Sequence, residues 1–343
     1  MRIFVIEGRS YCCKSYGGIQ LYKTQVLNYL DKIMDGINYE IHVCYPSDFT
    51  IQIGPYENIK LVKLVRNGRE RFLTHLLPKY MKKVKGIYLD LGIAWCRNFG
   101  GIVTLHDARP ITQSYDPIKE RILQRLKYQY DAITAKYVVT DSNIQKAELS
   151  RTLWINENKI MVIGCGWNHF KYIKLDYTIF DKYPNIKKGN YYYSVGSQYP
   201  HKNFKWIMEV AKRNLQIQFV VAGKSIQGTH IEEMSNVIYV GAVTDEENKA
   251  LICNCRAYVH PAKYEGFGIP PMEALSCGVP VFASDIPVLR EIYANTVHYF
   301  DPDNYEIDLE KEYQCFTESP GEILKKYTWE NAALAWDKLL KEY

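Results

Sequence analysis

Short runs rich in β-branched and aromatic residues alternate with amphipathic stretches of helical period along almost the whole chain. A strand, a helix and another strand in this rhythm close as a parallel sheet covered by helices on both faces. In the first half the β-rich runs are 2–6, 40–45, 60–65, 86–91, 101–105, 136–140 and 159–163. In the first amphipathic stretch, Ile19, Tyr22, Val26, Leu30 and Ile33 share one face. In the second half the runs are 191–195, 217–222, 237–240, 257–259, 279–283 and 297–300. The stretch from 165 to about 190 has no clear period and marks a domain boundary. A length of 343 residues is long for one domain and comfortable for two. The expected layout is α/β, with a domain over 1–170, a second over 171–326 and a C-terminal helix over 327–343. Both domains are expected to be doubly wound and to face one another across a cleft.

Helix ends are marked locally. Thr244 and Glu247 form a capping box, Ser319-Pro320 with Glu322 reads as a cap followed by proline, and Thr328 caps the last helix. Apolar residues at 47% rule out disorder as the main state. No apolar run reaches the length of a membrane span, and Glu7 cuts the first apolar run short for a signal peptide. A cytoplasmic protein is expected. The nine cysteines, Cys12, Cys13, Cys44, Cys96, Cys165, Cys253, Cys255, Cys277 and Cys315, show no C-x-x-C pair. They read as small buried hydrophobes in a reducing compartment, and no cluster has the spacing of a zinc site.

The net charge of +5 is concentrated in one place. Residues 60–85 hold nine basic side chains against the single acid Glu70, so the rest of the chain is net negative. Within that window Phe72, Leu73, Leu76, Leu77, Tyr80, Met81 and Val84 recur at helical spacing, with Pro78 expected to kink or interrupt the helix. Two readings are open: a helix packed on a sheet, or a basic amphipathic helix resting on anionic lipid at a membrane surface. Nucleic acid is not expected as a partner, because there is no binding motif and no second basic patch.

The segment YEGFGIPPMEALSCGVPVFASD, residues 264–285, follows a strand. Glu265 lies in a loop, Gly266-Phe267-Gly268-Ile269 lead into Pro270-Pro271, and Glu273 falls in the first helical turn. A helix beginning at Pro270 or Pro271 is expected. Its unpaired N–H groups suit phosphate or sugar hydroxyls, and the two carboxylates suit vicinal hydroxyls on separate parts of one ligand. The segment VGSQYPHKNFKWIMEVAKRN, residues 195–214, is a strand, a turn at Gly196 and a helix expected to begin near Lys202, whose charge suits a diphosphate. Gly17 and Gly18 open a helix after the first strand, and His106-Asp107 end another strand. Taken singly, each has a plain structural reading: surface acids, a surface lysine, a turn and a structural histidine.

Their order along the chain resembles the E-x7-E pattern of retaining GT-B glycosyltransferases, in particular glycosyltransferase family 4. Further similar segments lie near Ser142, Gly223, Gly241 and Glu291. The resemblance implies two Rossmann-like domains, a last helix over 327–343 that returns to the first domain, and transfer of a hexose-type sugar from a nucleotide diphosphate sugar to an acceptor hydroxyl. It implies catalytic roles for Glu265, Lys202 and His106, with Gly17, Gly18, Gly196, Gly223, Gly266, Phe267, Gly268, Ile269 and Glu273 lining the donor. Glu273 would take the ribose, and Glu265 the sugar. The arginine common just after the glycine is replaced by Ser197, and His201 precedes Lys202. The Asp301-Pro302-Asp303 triplet reads as a turn rather than a metal site. No cofactor and no metal are expected, and a glycan or lipid-linked acceptor is. A nucleotide-sugar epimerase on the same fold and a non-catalytic glycan-binding subunit are the other classes these features admit.

Overall fold

The computed structural model describes all residues except 13–16, 67–69, 93–99, 114–116 and 225–232. The chain forms two compact units, Met1–Gly166 with Thr328–Tyr343, and Trp167–Tyr327.

In the first unit the strands are β1 (Arg2–Glu7), β2 (Tyr39–Pro46), β3 (Lys60–Leu64), β4 (Ile87–Tyr88), β5 (Ile102–Thr104), β6 (Tyr137–Thr140) and β7 (Ile160–Val162). They pair in parallel in the orders β3-β2-β1-β4 and β5-β6-β7. A parallel bridge between Leu89 and Ile102 makes the two sheets continuous. β6 is buried along most of its length, as a strand covered on both faces must be. β3, at the edge, keeps Lys60 and Lys63 exposed. β4 is much shorter than the run 86–91. The chain turns out of the sheet at Asp90, whose carbonyl accepts from Thr104 Oγ1 at 2.8 Å and whose carboxylate accepts from Gly92 N at 2.9 Å.

The helix Gly18–Ile33 buries Tyr22, Val26, Leu27 and Leu30, but Ile19, expected on that face, is 41% exposed at its first turn. Against it lies the last helix, Trp329–Glu342, begun by Thr328, whose hydroxyl accepts from Asn331 N at 3.2 Å. Trp336 is fully buried and donates its indole N–H to Tyr22 Oη at 2.9 Å. Trp336→Ala should therefore cost about 3–5 kcal/mol, read as a lower denaturant midpoint with the first unit melting early.

The basic segment packs its apolar side inward. Phe72, Leu76 and Leu77 are buried with Val5, Cys44 and Tyr88 of the sheet, and Leu73, Tyr80, Met81 and Val84 pack against them. Pro78 does not kink an α-helix. A π-helical turn, Phe72–Leu76, precedes the α-helix Leu77–Val84, and Pro78 sits in the first turn, where its missing N–H costs nothing. Lys79, Lys82, Lys83 and Lys85 stay exposed. Among the described residues no helix is long and apolar enough to cross a membrane.

In the helix Ile118–Thr134, burial first and then the charge of Asp90 push the Asp131 carboxyl up to about 7. A carboxyl raised by folding opposes folding once it ionises. Stability on its account falls as pH rises from about 3.9 and levels off above its folded value. Asp131→Asn should gain on the wild type across that interval and hold a constant lead above it, measured by urea unfolding at a series of pH values.

The second unit has β8 (Tyr191–Val195), β9 (Gln218–Ala222), β10 (Val237–Gly241), β11 (Ala257–His260), β12 (Val281–Ser284) and β13 (His298–Phe300), in the order β10-β9-β8-β11-β12-β13, all parallel. β12 starts two residues later than the run 279–283, since Pro280 has no N–H for a ladder and offers only its carbonyl, to Tyr258 N at 2.9 Å. The Thr244–Glu247 capping box is present, with both bonds formed. The Ser319 cap, by contrast, is displaced: the helix is Gly321–Lys326 with Pro320 at the cap, and Ser319 Oγ accepts from Gly321 N at 3.4 Å. Trp206, fully buried, stacks on Phe300 at 4.0 Å and anchors the core of this unit.

Candidate functional site

In open parallel sheets, ligands bind beyond the carboxyl ends of the strands where the strand order reverses. In the second unit that point lies between β8 and β11. The loop after β8 carries Lys202, and the loop after β11 carries Glu265. Lys263 N donates to His201 O at 2.8 Å, tying the two loops together.

Lys202 does not open an α-helix. It ends the 3-10 turn Pro200–Lys202, Asn203 takes a left-handed conformation, and the helix begins at Phe204. The break turns Lys202 toward Glu265, whose Oε1 accepts from Lys202 Nζ at 2.6 Å and from His260 Nε2 at 3.0 Å. The Glu265 side chain is 10% exposed and that of Lys202 26%. Burial by itself would raise the Glu265 carboxyl, but Lys202 and then His260 hold it well below the usual carboxylate range. Its contribution to stability is thus complete at neutral pH and is lost only as pH falls below the ordinary glutamate range toward the depressed value.

The following helix runs Ile269–Ser276, one residue earlier than Pro270, with Gly268 as its left-handed cap at φ 90°. Pro270 and Pro271 have no N–H, so the donors that a helix start leaves unpaired are those of Gly268 and Ile269. Tyr293 Oη donates to the Gly268 carbonyl and holds the cap in place. Gly266 is buried in the same turn, and Phe267 packs edge-on against Tyr327 at 5.2 Å. Glu273, buried in the helix, lies 3.2 Å from His169 Nε2. Gly196 and Gly223 meet at the ends of β8 and β9: a Cβ on Gly223 would fall 1.6 Å from the Gly196 carbonyl oxygen.

Asp301-Pro302-Asp303 is a turn. The Asp301 carboxylate accepts from Asp303 N at 2.8 Å, and Asp303 pairs with Lys263. Among the described residues no three His, Cys, Asp or Glu side chains gather as a metal site.

Gly17, Gly18 and His106 belong to the first unit. Gly17 caps the helix at φ 140°, and a Cβ on either glycine would meet nothing within 4 Å among the described residues. His106 follows β5, and its Nδ1 lies 3.0 Å from both oxygens of Asp141, which follows β6. An ionised carboxylate only accepts, so Nδ1 carries the proton. Burial works to lower the His106 pKa, but Asp141, Asp107 and Asp90 hold it above the ordinary value. Nε2 is buried, with no hydrogen-bond partner among the described residues. Asp107 accepts from Arg109 N at 3.0 Å. Close by, Lys23 is 4% exposed and donates to Ser10 Oγ at 2.6 Å. Asp141 and His260 were not singled out from the sequence. Both stand at or just past a strand end, in TDSN and AYVHP, the same signal that marks His106.

Residues 177–342 match the family Glycosyl transferases group 1. This part of the chain is a group 1 glycosyltransferase domain. The O-antigen chain mannosyltransferase RfbU of Salmonella typhimurium is 29% identical over 211 residues, 59% of this chain and 57% of that protein. O-antigen chain mannosyltransferase B of Escherichia coli is 24% identical over 223 residues, 60% of this chain and 58% of that protein. The chain thus spans little more than half the length of these relatives. Among solved structures, sucrose-phosphate synthase of Thermosynechococcus elongatus has a TM-score of 0.69 at 16% identity, covering 100% of this chain and 99% of that one. Anabaena HepE, solved in complex with UDP and glucose, has a TM-score of 0.69 at 13% identity over 100% of both chains. At such identity the likeness is one of fold, the two-domain α/β GT-B class. The group 1 domain holds Lys202, Glu265 and Glu273.

Proposed function

We propose that the protein is a retaining, metal-independent glycosyltransferase that moves a hexose-type sugar from a nucleotide diphosphate sugar to an acceptor hydroxyl, in assembly of a surface polysaccharide or glycolipid. The observation that carries this reading is the Lys202–Glu265–His260 cluster at the switch point of a group 1 domain. The two O-antigen mannosyltransferases among its relatives support a hexose and a glycan acceptor.

In this reading the donor diphosphate lies against Lys202 and the N–H groups of Gly268 and Ile269. Charge grows on the diphosphate as the glycosidic bond breaks, and a fixed ammonium with oriented amides stabilises it without rearrangement. That positive charge is the support for metal independence, together with the engagement of Asp301 and Asp303 in a turn and an ion pair. Glu265 stays ionised and accepts from sugar hydroxyls. Glu273 accepts from the ribose. In the first unit, His106 turns Nε2 to a hydroxyl of sugar or acceptor while Asp141 fixes the ring. Because the basic helix buries its apolar side, its exposed lysines attract anionic lipid from the surface without insertion.

The test is incubation with labelled nucleotide sugars, with and without acceptor and with chelator. The expected result is acceptor-dependent release of nucleotide diphosphate, unaffected by chelator, with the anomeric configuration of the donor kept in the product. Inversion or loss of turnover with chelator would sink the finer claims. A changed sugar without any acceptor would instead make the protein an epimerase, and no reaction a binding module.

A further inference from the structure

The cysteines divide by environment. Cys44, Cys165 and Cys255 are buried, as expected from their apolar surroundings, whereas Cys12, Cys253 and Cys277 are partly exposed and Cys315 is exposed. Cys13 and Cys96 lie outside the described residues. Cys253 is the last residue of the helix Asp245–Cys253, and Cys277 caps the C-terminal end of Ile269–Ser276. Their sulfurs lie 2.7 Å apart. That is far inside van der Waals contact, though longer than the ~2.05 Å of a formed bond.

We propose that Cys253 and Cys277 form a redox-active dithiol, a modification site that a small disulfide oxidises to an intramolecular bond. Several features of the site support the chemistry. Both residues are partly exposed rather than buried, which leaves the pair open to a small disulfide. The thiolate is the attacking species. At Cys253 it is favoured by the S–H that Cys277 shares with it and by Lys249 one turn back on its own helix, while burial opposes it. Cys277 is pushed up by the same shared hydrogen and by burial, so it is the partner that holds the proton. Cys255, two residues from Cys253, is buried, has its thiol pushed up by burial, and gives its S–H to Ile252 O at 3.1 Å. It is not a competitor.

The steps balance. The Cys253 thiolate attacks one sulfur of the small disulfide and expels one thiolate. Cys277, losing its proton to solvent, then attacks the Cys253 sulfur of the mixed disulfide and expels the second. Two protein thiols are oxidised and one small disulfide is reduced to two thiols. The bond would tie the C-terminal end of the helix that carries Glu273 to its neighbour. None of this rests on the proposed transfer activity.

The test is to incubate the full-length protein with oxidised glutathione, block remaining thiols, and map peptides by mass spectrometry without reduction. The expected product is one cross-linked peptide pair joining Cys253 to Cys277, with the mass of two hydrogens lost, restored by dithiothreitol. In Cys277→Ser the resolving thiol is absent, and Cys253 should instead keep a bound glutathione. Cys315→Ser should form the bond as the wild type does. The idea fails if wild-type Cys253 and Cys277 are recovered free while Cys315 is glutathionylated, or if each retains a glutathione of its own. Because the variants are read by the chemistry at Cys253, a loss of folding would show as labelling of Cys44 and Cys255 and be recognised as such.

Discussion

Lys202→Ala and Glu265→Gln should each lower the rate of sugar transfer by about 10²–10³-fold, the loss typical of removing one donor from a site where charge develops. The two variants should fail differently. Without Lys202, the growing charge on the leaving diphosphate loses its nearest ammonium, so kcat falls more than the affinity for the donor. Without its carboxylate, Glu265→Gln can still bond His260 and Lys202, but the ammonium has no fixed counter-charge to hold it. Lys202→Arg keeps the charge and should recover part of the rate. Neither change should unfold the protein, because Lys202 is partly exposed and reaches water when Glu265 is neutralised, while Glu265 keeps His260 as a donor when Lys202 is removed. The measurements are steady-state rates with thermal melts alongside. Turnover at the wild-type rate in either variant would end the assignment.

A larger structural effect is expected at Gly223. Its φ of 140° is unfavourable for any residue with a Cβ, and that Cβ would lie 1.6 Å from the backbone oxygen of Gly196. A backbone carbonyl cannot swing aside as a side-chain tip does. The Gly223 backbone is also pinned, its N–H donating to Gly241 O at 2.7 Å and its carbonyl accepting from Tyr239 Oη at 2.5 Å. Gly223→Ala must therefore push apart the ends of β8 and β9. Strain and overpacking together cost about 2–6 kcal/mol, which lowers the melting temperature of a unit this size by roughly 10 °C. Thermal stabilisation by nucleotide diphosphates should vanish with it. Gly196→Ala is the control: a Cβ there meets nothing closer than Phe204 Cζ at 3.7 Å, so the fold should persist. Equal melting of the two variants would show that the close approach of these loops does not matter.

Local pattern carried much of the architecture. Every expected strand is present, because a parallel strand covered on both faces must be a short run of Val, Ile, Tyr and Ala, and such runs are conspicuous between helical stretches. The capping box at Thr244 and the cap at Thr328 follow from side chains that bond to backbone three residues away. Element ends were harder to place. The helix after β8 starts beyond Lys202 because Asn203 adopts a left-handed turn, and β12 starts late because of Pro280. Ile19 lies outside the buried face because periodicity says which face is apolar but not where a helix begins, whereas Pro78 does mark an interruption, the change from a π-helical turn to an α-helix.

For the site, the sequence marked which loops could hold an anion and which side chains they carry: Gly-rich turns after strands, a lysine, and two glutamates on either side of a helix start. Those properties are local, set by backbone freedom at glycine and by the unpaired amides of a first turn. Partnership was not legible, because it depends on which strands become neighbours. β8 and β11 lie side by side only once the sheet order reverses, and that reversal brings Lys202 against Glu265 and His260. Likewise β5 and β6 bring Asp141 to His106, and two helix ends bring Cys253 to Cys277. Side-chain charges and thiols act over a few ångströms, whereas the residues that meet here are separated by many positions in sequence, so only the packed sheets decide which of them interact.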